Sequence, residues 1–326
     1  MGFVFANDRT RGFCLSIETW ALEPKVQGTG SDMTSVVPTT ATGIDCRDRA
    51  LKSLSQLPPF SPVLNRLLAT LTNDDVSFAK ISDLIEKDTV IAGNVLKLVN
   101  SALYGRRGTI NSVRHAVSLL GSTKLRNAVF SMSLTRMWNT VRTPATWSTA
   151  RFNLHSVAVA IMCDLVAQRL PVAYPEGAFV AGLFHDVGKL LIAVGLHPEY
   201  EELRRLGAER NDIIELEREV LGLTHAELSA AAVEAWGLPQ EVATAVAYHH
   251  NPGDERSSRR LGTHSLALVL YCSDSYVNAS GSATAEEPVC TEPEKNAFEP
   301  LDLDEQVPDL VREFTVELEA ITAFFR

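Results

Sequence analysis

Gly182 to Lys189 reads GLFHDVGK, and His185 and Asp186 stand where an otherwise apolar run asks for leucine or valine. The run itself reads as a buried helix. Placing an imidazole and a carboxylate side by side in an interior costs several kcal/mol unless each is hydrogen-bonded, paired or bound to a cation. A metal ion accounts for the pair most simply. Lys189 follows His185 by one helical turn, so its ammonium reaches the same patch of space and is placed to contact a bound phosphate.

The rest of the chain has to build a core around that pair, and its spacing is helical throughout. Ser61 caps a helix with Pro62 in its first turn and Val63, Leu64, Leu67, Leu68 and Leu71 on one face. Ser77 is placed to cap a second, with Phe78, Ile81, Leu84 and Ile85 at the same spacing. A third turns Val90, Ile91, Val95, Leu98 and Val99 inward and stops at Gly105. Ser112 and Ser122 read as caps of two more. No segment alternates apolar and polar residues convincingly, so an all-α, multi-helix architecture is expected.

After a break at Arg142 to Ala145, polar residues recur inside apolar settings. His155 lies in FNLHSVAVAIM, His225 in GLTHAELSAAAVEAWGLP, His249 and His250 close EVATAVAYHH, and Asp274 lies in LVLYCSDSYVNA. With His185 and Asp186, that makes seven potential ligands on five segments. Thr224 and Glu227 form a capping box that sets His225 in a helix first turn. His155 or His225 alone would read as a hydrogen-bonded core histidine. Together, mixed imidazole and carboxylate donors without thiolate suit iron, manganese, zinc or magnesium. His115, His197 and His264 fall outside the set, the last two expected on the surface.

Three stretches carry a family likeness: LPPF from Leu57, DLIEKDTVIAGNVLKLVNSALYG from Asp83 to Gly105, and AVSLLGSTKLRNAVF from Ala116 to Phe130. Together they resemble the first half of an HDOD domain, and the order H…HD…H…HH…D resembles the metal-binding series of the HD superfamily. The likeness covers roughly Leu57 to Pro252, with related helical sequence to about Ser280. It implies an N-terminal helical half, 48–143, packed on an HD-like half, 144–280. It also implies one divalent ion on His155, His185, Asp186 and Asp274, with Asp186 bridging to a second on His225, His249 and His250. Such a pair would acidify a shared water for attack on a phosphoester, with Asp186 and Lys189 as catalytic residues. The chain departs from the cyclic di-GMP phosphodiesterases in lacking a Gly-Tyr-Pro triplet after His250. HDOD proteins as a group frequently lack demonstrable hydrolase activity. The reading is therefore a bacterial signal-transduction module that binds protein partners or a ligand. The alternative is a metal-dependent phosphohydrolase or phosphodiesterase acting on a nucleotide or cyclic dinucleotide.

Charge argues against nucleic acid as a partner. The net charge is −10, of which residues 281–326 supply 12 acidic against 3 basic residues, leaving the body about neutral. A basic cluster, Arg106, Arg107, Arg114, Lys124 and Arg126, reads as solvated helix ends. Five scattered cysteines with no CxxC spacing read as reduced thiols. No secretory signal or uninterrupted membrane span is visible, so a cytoplasmic protein is expected. Residues 1–47 read as poorly ordered, and their polar sequence around Met33 invites a second reading in which translation starts there. Residues 281–326 read as an acidic linker, mobile from Ser280 to Pro300, and an amphipathic helix opened by Pro308 that docks on the body.

Overall fold

The computed structural model describes residues 42–71, 78–101, 109–210, 212–255, 262–281 and 297–322. The expectations for Met33, Ser77, Gly105, Arg106 and Arg107 lie outside them. Within them the chain is all-helical, with one isolated bridge between Val172 and His264 and no strand. The first half carries α1 (Thr42–Lys52), α2 (Pro62–Leu68), α3 (Phe78–Lys87), α4 (Thr89–Val99), α5 (Val113–Leu120) and α6 (Ser122–Trp138). The second carries α7 (Thr149–Ala167), α8 (Ala178–Phe184), α9 (Val187–Gly195), α10 (His197–Gly207), α11 (Ile213–Leu221), α12 (His225–Ala235), α13 (Gln240–Ala247) and α14 (Leu266–Ala279). α15 (Val307–Thr322) closes the chain.

Local chemistry sets many of these boundaries. Ser61, Ser112, Ser148 and Ser265 each accept a backbone N–H in the first turn of the helix they precede, and Asp88 accepts two. The Thr224–Glu227 capping box forms as its spacing predicts. Ser122 differs: it is already helical, and Gly121, at φ 77°, takes the cap position. Val90, expected inward, is largely exposed, because the Asp88 cap starts α4 one residue before it and turns Ile91 to the core.

One apolar core runs from Leu57 to Ile321 through both halves. Its axis is α7, which packs against α8, α14 and α15 and is buried continuously from Asn153 to Val166 except at Leu154. Thr149–Ala167 and Pro175–Gly195 are long and apolar enough to cross a bilayer, but most of each is buried within the fold. Of the basic cluster, Arg114 pairs with Asp83 at 2.7 Å and Lys124 with Glu317 at 2.5 Å, whereas Arg126 Nε is buried without a hydrogen bond. Cys46, Cys163 and Cys272 are buried free thiols.

Two segments depart from their expected places. Helix begins at Thr42, six residues before Asp48, and α1 packs on α9, α11 and α12 of the second half. Cys46 and Ala50 join Ile192, Leu196, Tyr200 and Leu216 in a separate apolar cluster there. At the other end, the expected linker is already packed by Ala297, with Phe298, Leu301 and Leu303 buried. Phe298 and Phe314 both meet the Tyr276 ring, at 5.5 and 5.8 Å between centroids. α15 docks on α7 as expected, and Arg169 pairs with Glu313 at 2.9 Å across the contact.

A two-pronged ion pair ties α1 to α10: Arg49 donates to Glu199 at 2.6 and 3.2 Å. Burial alone would raise the Glu199 carboxyl, but the Arg49 hydrogen bond, a backbone hydrogen bond and the guanidinium charge together outweigh it and hold the group below its ordinary value. A depressed folded value means stability that is present above the unfolded value and lost as pH falls through the folded one. Glu199→Gln is expected to lower unfolding free energy by roughly 0.5–1 kcal/mol at pH 7. The gap from wild type should close as the pH drops below about 4. Urea titrations stepped down in pH check this.

Candidate metal centre

The sequence places His185 and Asp186 inside a helix; the structure places them at a break between two. His185 ends α8 and Asp186 precedes α9, so both side chains leave the helical cylinders and turn inward. The His185 ring donates its Nδ1–H to the Gly182 carbonyl at 2.7 Å, three residues back. His249, just past the end of α13, does the same to Val246 at 2.7 Å. A carbonyl only accepts, so in both rings Nδ1 carries the proton and Nε2 offers a lone pair.

Two glycines allow this break. A Cβ on Gly182 would lie 2.6 Å from Ala160 Cα, so α8 crosses α7 in backbone contact. At Gly188 a Cβ would lie 2.0 Å from the His225 carbonyl oxygen. The Gly188 N–H also donates to Ser229 Oγ at 2.7 Å, fixing the start of α9 against α12. His225 is the first residue of α12, and His155 and Asp274 project from α7 and α14.

All seven predicted ligands converge. His155 Nε2 lies 3.2 Å from His185 Nε2, 3.1 Å from Asp274 Oδ1 and 3.4 Å from Asp186 Oδ2. His185 Nε2 lies 3.4 Å from Asp186 Oδ2 and 3.5 Å from Asp274 Oδ1. On the other side, His225 Nε2 is 3.3 Å from Asp186 Oδ1 and 2.9 Å from His250 Nε2. His225, His249 and His250 form one ligand-capable trio, and His155, His185 and Asp186 another. His249 also groups with His185 and Asp274, joining the two. Six of the seven are buried, and His250 alone is partly exposed. Lys189, also buried, donates to Asp186 Oδ2 at 3.0 Å. His115 and His197 are exposed and His264 is half-buried.

The residues fit a cation on three counts. Donors bound about 2.0–2.2 Å from one ion sit roughly 3 Å from each other, and the first group has that spacing. The His155 and His185 Nε2 atoms face each other, which two lone pairs tolerate only with a proton or a cation between them. Asp186 Oδ1, Asp274 Oδ1 and His249 Nε2 are buried without a hydrogen bond.

Electrostatics tell the same story. Burial disfavours charge on His155, but the Asp186 and Asp274 carboxylates beside its Nε2 outweigh it and push the ring up to about 10. His185 goes up to about 9, where burial is overcome first by the Asp186 charge. Burial, then the positive charge of His185 and His225, pushes His249 down to about 3, and His250 likewise falls well below its ordinary value. Both carboxyls are held well below the carboxylate range: burial opposes ionisation, and the neighbouring imidazoles prevail, with Lys189 adding to the effect at Asp186. The two buried carboxylates draw positive charge to their side, as protons on His155 and His185 or as a cation in their place.

One buried residue of this neighbourhood went unread in the sequence. Glu217 on α11 accepts the His225 backbone N–H at 2.7 Å and faces its Nδ1 at 2.8 and 2.9 Å. EREV looks like a solvated helix face. The signal was positional: Glu217 follows Leu216 and precedes Leu221 by one turn, on the stripe that α11 turns inward.

Comparison with known proteins follows the fold. The family profile for the HDOD domain matches residues 57–252. An HDOD domain protein of unknown function from Geobacter sulfurreducens superposes with a TM-score of 0.71 at 22% identity, covering 86% of this chain and 98% of its own. A Marinobacter aquaeolei protein, provisionally described as a signal transduction protein, gives 0.64 at 22%, covering 89% of this chain and 67% of its own. An uncharacterized Treponema pallidum protein is 25% identical over 212 residues, 61% of this chain; the match spans 38% of that relative's length.

Proposed function

Since this chain belongs to the HDOD domain family, we propose that it is a signal-transduction module that binds protein partners, built around a buried divalent-metal centre. The observation that carries the reading is the burial of a complete donor set: six of seven ligands are closed off by helices from both ends of the second half. His155, His185, Asp186 and Asp274 would hold one ion, iron, manganese, zinc or magnesium, and His225, His249 and His250 a second, with Asp186 between them. Two ions so enclosed, sharing Asp186, would join α7, α9, α12 and α14. Its gain or loss would then be felt wherever those helices meet the surface, which is how a sensory or scaffolding centre passes its state to partners.

A phosphohydrolase reading rests on a different observation, the pairing of Lys189 with Asp186 beside a ligand set with no member missing. Bound divalent ions supply an acidified water and positive charge for a phosphoryl oxygen. In that reading His250, at the partly exposed edge, lies where a nucleotide or cyclic dinucleotide phosphate enters, and the Lys189 ammonium offsets charge on the phosphate. The two readings separate cleanly. Protein purified without chelator is expected to carry stoichiometric metal and leave bis-p-nitrophenyl phosphate intact in manganese buffer. Turnover that disappears in Asp186→Asn would make the hydrolase reading the correct one.

A further inference from the structure

Glu217 is placed as though its purpose were one ring. It is 2% exposed, and both of its oxygens face His225: Oε2 takes the backbone N–H at 2.7 Å, and the two oxygens sit 2.9 and 2.8 Å from Nδ1. Helix capping explains only the bond to the His225 N–H, not the carboxylate at Nδ1. Thr224 already caps α12 through the Glu227 N–H at 3.2 Å, and Glu227 returns the bond to the Thr224 N–H at 2.7 Å. Nor is it needed to locate the backbone, which Ser229 clamps to Gly188 from the other side.

Its effect falls on the imidazole. A carboxylate at Nδ1 accepts a hydrogen bond from the Nδ1–H and leaves the lone pair on Nε2, which lies 3.3 Å from Asp186 Oδ1 and 2.9 Å from His250 Nε2. We infer that Glu217 is a positioning residue for metal binding: it fixes the tautomer and tilt of His225, raises the ring's basicity, and so sets the affinity of the trio His225, His249 and His250. The inference rests on the metal-binding reading above and adds an eighth residue, one that touches no ion, to the machinery. Glu217 also balances charge. With Asp186 on one ring nitrogen and Glu217 on the other, His225 is bracketed by two carboxylates, which favours either a cation at Nε2 or a proton there.

The test uses the full chain, Zn²⁺ alone, and two variants. Glu217→Ala removes both bonds; Glu217→Gln keeps an acceptor for the His225 N–H but loses the charge. Zinc affinity by competition with a chelating dye is expected to fall 10- to 100-fold in Glu217→Ala. Glu217→Gln should restore the metal-free melting temperature while leaving affinity several-fold low. In the metal-free protein, ¹⁵N spectra should show His225 protonated at Nδ1 in wild type and a changed ring signature in Glu217→Ala. Wild-type zinc affinity in both variants, with only the melting temperature lowered, would overturn the inference and leave Glu217 a structural acceptor. If wild type itself takes up no zinc, the metal reading fails. The ring spectra then decide separately: an unchanged His225 signature in Glu217→Ala overturns the positioning role, and a changed one upholds it.

Discussion

Gly188→Ala is expected to destabilise the protein by about 4 kcal/mol or more. The added methyl would stand 2.0 Å from the His225 carbonyl oxygen and 2.9 Å from its carbon, and backbone atoms cannot swing aside as a side-chain tip would. The same movement would stretch the Gly188 to Ser229 bond. Relief requires α9 and α12 to part, and those two helices carry the start of the Asp186–Lys189 turn and His225. Loss of stability and loss of metal should therefore arrive together, read by urea unfolding and by metal content. A variant within about 1 kcal/mol of wild type would mean that the two helices are not in backbone contact.

The second large effect is expected at Asp186. Its two oxygens face both halves of the cluster, Oδ2 toward His155, His185 and Lys189, and Oδ1 toward His225. Asp186→Ala removes the carboxylate that accepts from the buried Lys189 ammonium at 3.0 Å, and breaking a buried pair in this way costs about 3–5 kcal/mol. Asp186→Asn keeps the shape and an acceptor for Lys189 and should cost less, yet it should bind metal no better than the alanine variant. Thermal unfolding and metal analysis of the two variants side by side separate the charge from the packing. Equal stability in Asp186→Ala and wild type would remove Lys189 from the account.

How much of this could be read from the chain depends on whether the signal is local. The all-helical fold was legible because the helices advertise their own apolar stripes and, at Ser61, Ser112 and Thr224, their own caps. The seven donors were legible because each interrupts an apolar run, so the misfit itself marks the position. The break at His185 and Asp186 was not. It depends on α7 and α12 approaching Gly182 and Gly188 from outside, and a run of apolar residues says nothing of that. Glu217 was missed for a related reason: among charged neighbours a buried glutamate looks like any other until His225 is seen beside it. The docking of α1 on α9 and of Phe298 on Tyr276 likewise depends on partners more than a hundred residues away, or across a segment of different composition.

Anomalous diffraction from crystals of the full chain, grown without chelator and measured above the iron, manganese or zinc edge, tests the central claim most directly. The account predicts a peak enclosed by His155, His185, Asp186 and Asp274. A map with neither an anomalous peak nor magnesium-like density at that position, with the His155 and His185 rings held together by a shared proton instead, would contradict it.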